Sequence, residues 1–355
     1  MLIEETVSCM PFPGLKDFVD NEFNIVVAGG NFFNDTSFSE LSDVEYVTPF
    51  WKDSLCTKPN RMPSNLDGTV SGHVEGQPMV CGGLKSESSD ENGFEQTVER
   101  DCHSLKGNEW ELQTGGLRCP RWGASSLMLD KDKLWVVGGN PDSSSSEECL
   151  DAPTSSEIFN SNLGEFELTE TLPEPMIYHC TARIDENHIF MVNGYDENYE
   201  GISHAYVVDT STKPMTFMPL PSLNKVRSQA ACGIITYTSD TENENNLAIV
   251  VAGGGFGNDS RSTEIYKLSD TYDTENTWEP GPILPRGFAN GCQINSDVNG
   301  LILIGGFDEF GNVRSDLIQY NSNSEQFETL PGRLNTPRYG CTAVRIQNTG
   351  ECVKT

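Results

Sequence analysis

A short apolar run closed by glycine recurs along this chain at near-constant intervals, and that spacing constrains the fold more than any other feature. Five copies end in a pair: Gly29-Gly30, Gly82-Gly83, Gly138-Gly139, Gly253-Gly254 and Gly305-Gly306. A degenerate sixth copy, 189–194, keeps only Gly194. From Gly30 through Gly83, Gly139, Gly194 and Gly254 to Gly306 the steps are 53, 56, 55, 60 and 52 residues. Internal repetition with a period near fifty is the mark of a β-propeller built one blade per repeat. Each run is β-branched and bounded by turn formers, which reads as a strand buried on both faces. The glycine at its end marks a backbone at positive φ or one approached too closely for a Cβ.

The remainder of each repeat has its own pattern. An aromatic or His is followed seven residues later by a second aromatic at His103/Trp110, Phe159/Phe166 and Tyr320/Phe327, with longer spacing at Tyr206/Phe217 and Tyr266/Trp278 and a shorter one at Tyr46/Trp51. Turns such as Pro120-Arg121-Trp122-Gly123, Pro285-Arg286-Gly287 and Pro337-Arg338-Tyr339-Gly340 lead into the next repeat. The double glycine with spaced Tyr and Trp resembles the kelch repeat, over roughly 24–347. The resemblance implies an all-β, six-bladed kelch propeller with four antiparallel strands per blade. Blades are expected at about 24–66, 67–119, 120–176, 177–227, 228–286 and 287–340, with 341–347 returning to close blade 1. Residues 1–23 and 348–355 are expected as tails. Segment 15–19 is the rival closing strand.

The chain has 53 acidic against 23 basic residues, a net charge of −30. Such a field repels phosphate backbones and anionic lipid, so nucleic-acid and membrane partners are not expected. No segment reaches the roughly 18 apolar residues of a membrane span. The first twenty residues lack the basic start and apolar centre of a signal peptide, which gives a cytoplasmic location if Met1 is the native start. Eleven cysteines and two glycosylation-type triplets, Asn34-Asp35-Thr36 and Asn258-Asp259-Ser260, point instead to an extracellular one.

Two windows resemble metal sites, and neither fits. Ser88, Asp90, Asn92, Gly93 and Glu99 have the spacing of a calcium loop, but no helices are expected to flank them. Glu95, Glu99 and His103 resemble the iron triplet of kelch-type specifier proteins. Residues four apart on a strand lie about 13 Å from one another, too far to share an ion. No metal, cofactor or catalytic residue is expected. Cys81 and Cys102 should face each other on adjacent antiparallel strands, within reach of a disulfide. Cys9 and Cys352 are a second candidate pair where the termini converge. Cys180, Cys232, Cys292 and Cys341 share one repeat position and are expected as buried free thiols.

The resemblance implies a monomeric binding module for a protein or peptide partner; a kelch enzyme of galactose-oxidase-like or sugar-modifying kind is the alternative. Arg121, Arg227, Arg286 and Arg338 all occupy the turn before a blade's first strand. With Trp122, Tyr178, His179 and Tyr339 they are the candidate partner-binding residues. In ubiquitin-ligase adaptors of this repeat family, arginines of the matching turn receive an acidic peptide, so an acidic segment is the expected ligand.

Overall fold

The computed structural model describes residues 23–34, 37–51, 54–89, 93–141, 149–238, 245–255, 257–268, 272, 276–296, 300–347 and 352–354. Antiparallel strands follow one another as a propeller of six blades. Blade 2 comprises Val70–Val74, Gln77–Ser89, Gly93–Lys106 and Glu109–Leu112, numbered outward from the axis, and blades 3 to 6 repeat this order. Their innermost strands are Ser125–Asp130, Cys180–Arg183, Ala231–Thr238 and Cys292–Ser296. Blade 1 is assembled from both ends of the chain. Thr342–Gln347 is its inner strand, antiparallel to Phe23–Ala28, which in turn pairs with Val44–Val47. Closure of this kind ties the two ends of the chain into one blade, so the ring has no free terminal blade. Segment 15–19 lies outside the described residues.

The repeated apolar run is the second strand of each blade. In Phe23–Ala28, Val26 and Ala28 join the cluster shared with blade 2, while Ile25 and Val27 join the one shared with blade 6. Ala248, Val250 and Ala252 likewise face blade 6, and Ile249 and Val251 face blade 4. The core is thus six wedges between neighbouring blades, and every second strand contributes to two of them. Period-2 side-chain alternation, which on a one-sided sheet would show as polar-apolar, here gives an unbroken apolar run.

The glycine pair clasps one blade to the next. Gly30, Gly83, Gly139, Gly254 and Gly306 donate their N–H to the carbonyls of Leu66, Arg121, Met176, Phe288 and Arg338, at 2.7–2.9 Å. A Cβ on the preceding glycine would sit 2.2 Å from the Met176 oxygen at Gly138 and 2.6 Å from the Leu66 oxygen at Gly29. Both glycines of each pair have φ between 60° and 101°. The third and fourth strands bring the spaced aromatics together: Phe159 stands opposite Phe166 and Tyr320 opposite Phe327. Blade 2 departs from this, with His103 opposite Leu112 and Trp110 opposite Leu105.

Ten cysteines form five disulfides. Cys81–Cys102 is the cross-strand bridge the register requires. Cys352 pairs with Cys56, joining Cys352–Lys354 to Ser54–Cys56 at the outside of blade 1, so part of the expected tail is a strand and the expected Cys9–Cys352 bond is replaced. Cys9 lies outside the described residues. Cys119–Cys149 was not anticipated.

The four cysteines expected as free thiols are instead two disulfides, Cys180–Cys232 between blades 4 and 5 and Cys292–Cys341 between blades 6 and 1. Inner strands converge towards the axis, which brings equivalent Cα atoms to 5.9 and 5.4 Å, inside bridging range. Side-chain hydrogen bonds join the other inner strands. Gln293 grips the backbone of Cys232 through both ends of its amide, at 3.0 and 3.2 Å. Ser125 meets Thr181 at 2.7 Å, Ser126 donates to the Ser71 carbonyl at 2.8 Å, and Thr342 bonds Ser71 at 2.6 Å.

Candidate functional site on the upper face

We call upper the face that carries the glycine pairs and the turns leading into the inner strands. The four arginines of those turns point into the blades. Arg121 and Arg338 are 1 % and 0 % exposed, and Arg227 and Arg286 are 2 % and 8 %. Each bonds the carbonyl of a first glycine and an acid on the third strand. Arg121 reaches Gly138 O at 2.6 Å and Glu157 at 2.6 Å. Arg227 reaches Gly253 O at 2.7 Å and Glu264 at 2.9 Å. Arg338 reaches Gly29 O at 3.1 Å and Glu45 at 2.5 Å. Arg286 lies two residues further from its inner strand, and its acid, Asp316, is set two residues earlier on the third strand.

The acids complete the turns: Glu157 also accepts from the amides of Arg118 and Cys119, and Glu45 from those of Asn335 and Thr336. Blades 2 and 4, with Leu66 and Met176 where the others carry arginine, have His103 and Tyr206 at the matching strand position. Arginine and acid are therefore one structural unit, present or absent together. Burial drags the guanidinium pKa of Arg121 and Arg338 down, with Glu157 and Glu45 pulling the other way. For Asp316, burial pushes the carboxyl up, but the hydrogen bond and charge of Arg286 outweigh it and leave it below its ordinary value. These arginines face no ligand, so the ground for expecting an acidic segment is gone.

His179 is also internal, 7 % exposed, with its ring against Gly138. Burial lowers its pKa to about 3, opposed weakly by the Met176 carbonyl, so the ring is neutral.

What the turns do present is organised by a circle of main-chain bonds around the axis. Gly123 donates to Gly68 O, Tyr178 to Gly123 O, Gln229 to Tyr178 O, Asn290 to Gln229 O, Gly340 to Asn290 O and Gly68 to Gly340 O, at 2.7–3.4 Å. All six have φ between 52° and 64°, the left-handed region. Glycine takes that conformation at blades 1, 2 and 3, whereas Tyr178, Gln229 and Asn290 hold it at some cost in blades 4, 5 and 6. Below the circle a cavity of about 1500 Å³ runs between the inner strands to the hairpins of the lower face.

Above the circle, the residue before five of the six members bridges to the residue after a repeat's last glycine: Tyr339 with Asn31, Asp67 with Leu84, Trp122 with Asn140, Ile177 with Tyr195 and Ala289 with Phe307. Of these, Tyr339, Asp67, Leu84, Trp122, Asn140, Tyr195 and Phe307 are partly exposed, whereas Asn31, Ile177 and Ala289 are buried. Trp122 meets Tyr178 edge-on at 5.4 Å, Phe307 lies 4.3 Å from Tyr339, and Tyr195 lies 6.1 Å from Tyr199. Asn31 donates to Asp67 at 2.9 Å, Asn140 to the Tyr199 hydroxyl at 2.5 Å, and Ser228 to Tyr195 at 2.7 Å. Tyr199 is 47 % and Phe310 82 % exposed. Of the expected partner-binding residues, Trp122, Tyr178 and Tyr339 come together here. Asn31, Asp67, Asn140, Tyr195, Tyr199 and Phe307 join them unforeseen, although the position after a glycine pair would have pointed to Asn31, Asn140 and Phe307, and the one after Gly194 to Tyr195.

Among the described residues no group of three His, Cys, Asp or Glu side chains could hold a metal ion. Glu95, Glu99 and His103 lie along one extended strand, Gly93–Lys106, which separates them as strand geometry requires. Asp90 and Asn92 of the calcium-like window lie outside the described residues.

No protein-family model matches the chain, and no curated protein matches it in sequence. Among solved structures, one described as the structure of YjhT is similar over 87 % of this chain and 97 % of its own length, with a TM-score of 0.61 and 15 % identity. That likeness is one of fold alone. It supports the propeller and carries no substrate or partner across.

Proposed function

We propose that this propeller is a kelch-type binding module that engages a protein or peptide partner through the centre of its upper face, with no catalytic role. The observation carrying this reading is the cluster of partly exposed aromatic rings, Trp122, Tyr178, Tyr339 and Phe307, gathered over the closed backbone circle. Rigid aromatic side chains give large contact area at low entropic cost and dominate binding hot spots. A stiff ring presenting variable loops is a general platform for recognition. The double glycines and spaced aromatics favour the kelch assignment.

The test is capture of partners from the native source by wild-type protein and by Trp122→Ala, Phe310→Ala and, on the lower face, Leu247→Ser. The proposal expects one set of partners retained by the lower-face variant and lost by the other two. Loss only with Leu247→Ser, or stoichiometric copper or iron in the purified protein together with turnover, overturns it.

A further inference from the structure

The centre of the upper face also states a charge preference, and it is opposite to the one the arginine turns suggested. Those arginines are buried against Glu157, Glu264, Asp316 and Glu45. Three further cations of this face are held by neighbouring acids: Lys225 by Asp259, Arg261 by Glu309 at 3.7 Å, and Arg314 by Asp316 at 3.4 Å. By contrast, no ion pair among the described residues engages Asp196, Glu197 or Glu200, which lie on the loop carrying Tyr195 and Tyr199.

Over the axis, Tyr178 is held at φ 53°, a conformation costly for a bulky side chain and one that persists at functional positions when the surroundings enforce it. Its ring lies over the glycine half of the circle: a Cβ on Gly123 would meet it at 3.3 Å. Burial raises the Tyr178 phenol well above its ordinary pKa, and the charge of Asp67 adds to this, so the carboxylate is within electrostatic reach of the ring.

We propose that this centre receives a cationic side chain, an arginine or lysine of a protein partner, seated against Tyr178 and Trp122 with Asp67 and the 196–200 loop supplying the opposing charge. Aromatic faces attract such a cation, more strongly as water is excluded. The net charge of −30 steers it in. This inference rests on the upper-face reading above and fixes the chemistry of the ligand.

The experiment is fluorescence anisotropy with a labelled Gly/Ser nonapeptide carrying one central arginine, and with lysine, citrulline and glutamate versions. The arginine peptide should bind at least tenfold more tightly than the citrulline peptide, with affinity falling as salt rises. Tyr178→Gly should abolish that preference while melting within a few degrees of wild type, because glycine already serves at three equivalent positions of the circle. Asp67→Asn should weaken arginine binding about tenfold, and Glu186→Gln on the lower face should leave it unchanged. Equal binding of arginine and citrulline peptides overturns the inference, as does an equal loss in Glu186→Gln, which would show diffuse attraction to an acidic surface. If the glutamate peptide binds best and Tyr178→Gly removes it, the face reading stands and the cation is wrong. If Tyr178→Gly and Trp122→Ala leave all peptide binding unaltered, both fall.

Discussion

The two halves of the ring are held together differently. From blade 4 through blades 5 and 6 to blade 1, neighbouring inner strands are joined by Cys180–Cys232, by the Gln293 amide and by Cys292–Cys341. From blade 1 through 2 and 3 to 4, no disulfide joins the inner strands among the described residues; hydroxyl contacts of Thr342, Ser71, Ser126, Ser125 and Thr181, the His73 ring on the Arg345 carbonyl and the Arg183 guanidinium on the Met128 and Leu129 carbonyls do the same work. The circle above divides almost alike: glycines in blades 1 to 3, side-chain-bearing residues in blades 4 to 6. The covalently joined half also carries the left-handed Tyr178, Gln229 and Asn290. A stiffer wall under the more strained part of the circle is a coherent arrangement, since strained backbone persists only where its surroundings over-determine it.

The arginine units ignore this division, and cutting one should have the largest effect. Arg338→Ala and Arg227→Ala each leave a buried carboxylate unpaired, at a cost of about 3–5 kcal/mol. Thermal melts of both should show similar drops; a drop confined to one would mean that the two halves differ in more than their wall.

The disulfides come next. Removing Cys292–Cys341 with Cys292→Ser and Cys341→Ser releases a cross-link spanning 49 residues, which loop entropy values at about 4 kcal/mol. In the other half, Ser71→Ala should cost only about 1–2 kcal/mol, for hydrogen bonds alone. Denaturant midpoints that rank these two the other way would dissolve the distinction.

At the seam between blades 3 and 4, acid should act through His179. Its folded pKa near 3 lies below the unfolded value of 6.5, so the unfolded chain takes a proton that the folded chain refuses. Stability from this residue is complete above pH 6.5 and is lost by about 1.4 kcal/mol per pH unit between 6.5 and 3. Urea titrations of His179→Phe at pH 7 and pH 5 should show a shallower decline than wild type. The smallest effect is expected at Phe310→Ala, an exposed position where stability should change by no more than about 0.5 kcal/mol.

Blade count, second strands and the Cys81–Cys102 bridge were legible because each depends on local pattern or on strand register alone. Cys180–Cys232 was not, because distance between neighbouring blades varies with distance from the axis, which no spacing in the sequence records. Pro-Arg turns read as a ring of exposed cations because the acid that claims each arginine comes from a different strand, 36 residues away in the case of Glu157. The signal existed in a weaker form: blades lacking the arginine also lack the acid. Of the residues grouped on the upper face, Trp122, Tyr178 and Tyr339 were singled out through the same turns, whereas Asp67 was passed over because its blade lacks the arginine that drew attention to the others.

The circle of six main-chain bonds leaves its members no amide hydrogen to offer a visitor, since each N–H is already given to the neighbouring blade. For a ligand docked as proposed, every hydrogen bond donated to it from the centre of the face would therefore come from side chains standing on that circle. On that proposal, single substitutions at those positions would alter what is bound without disturbing the main-chain circle beneath, so specificity could drift while the fold stays still.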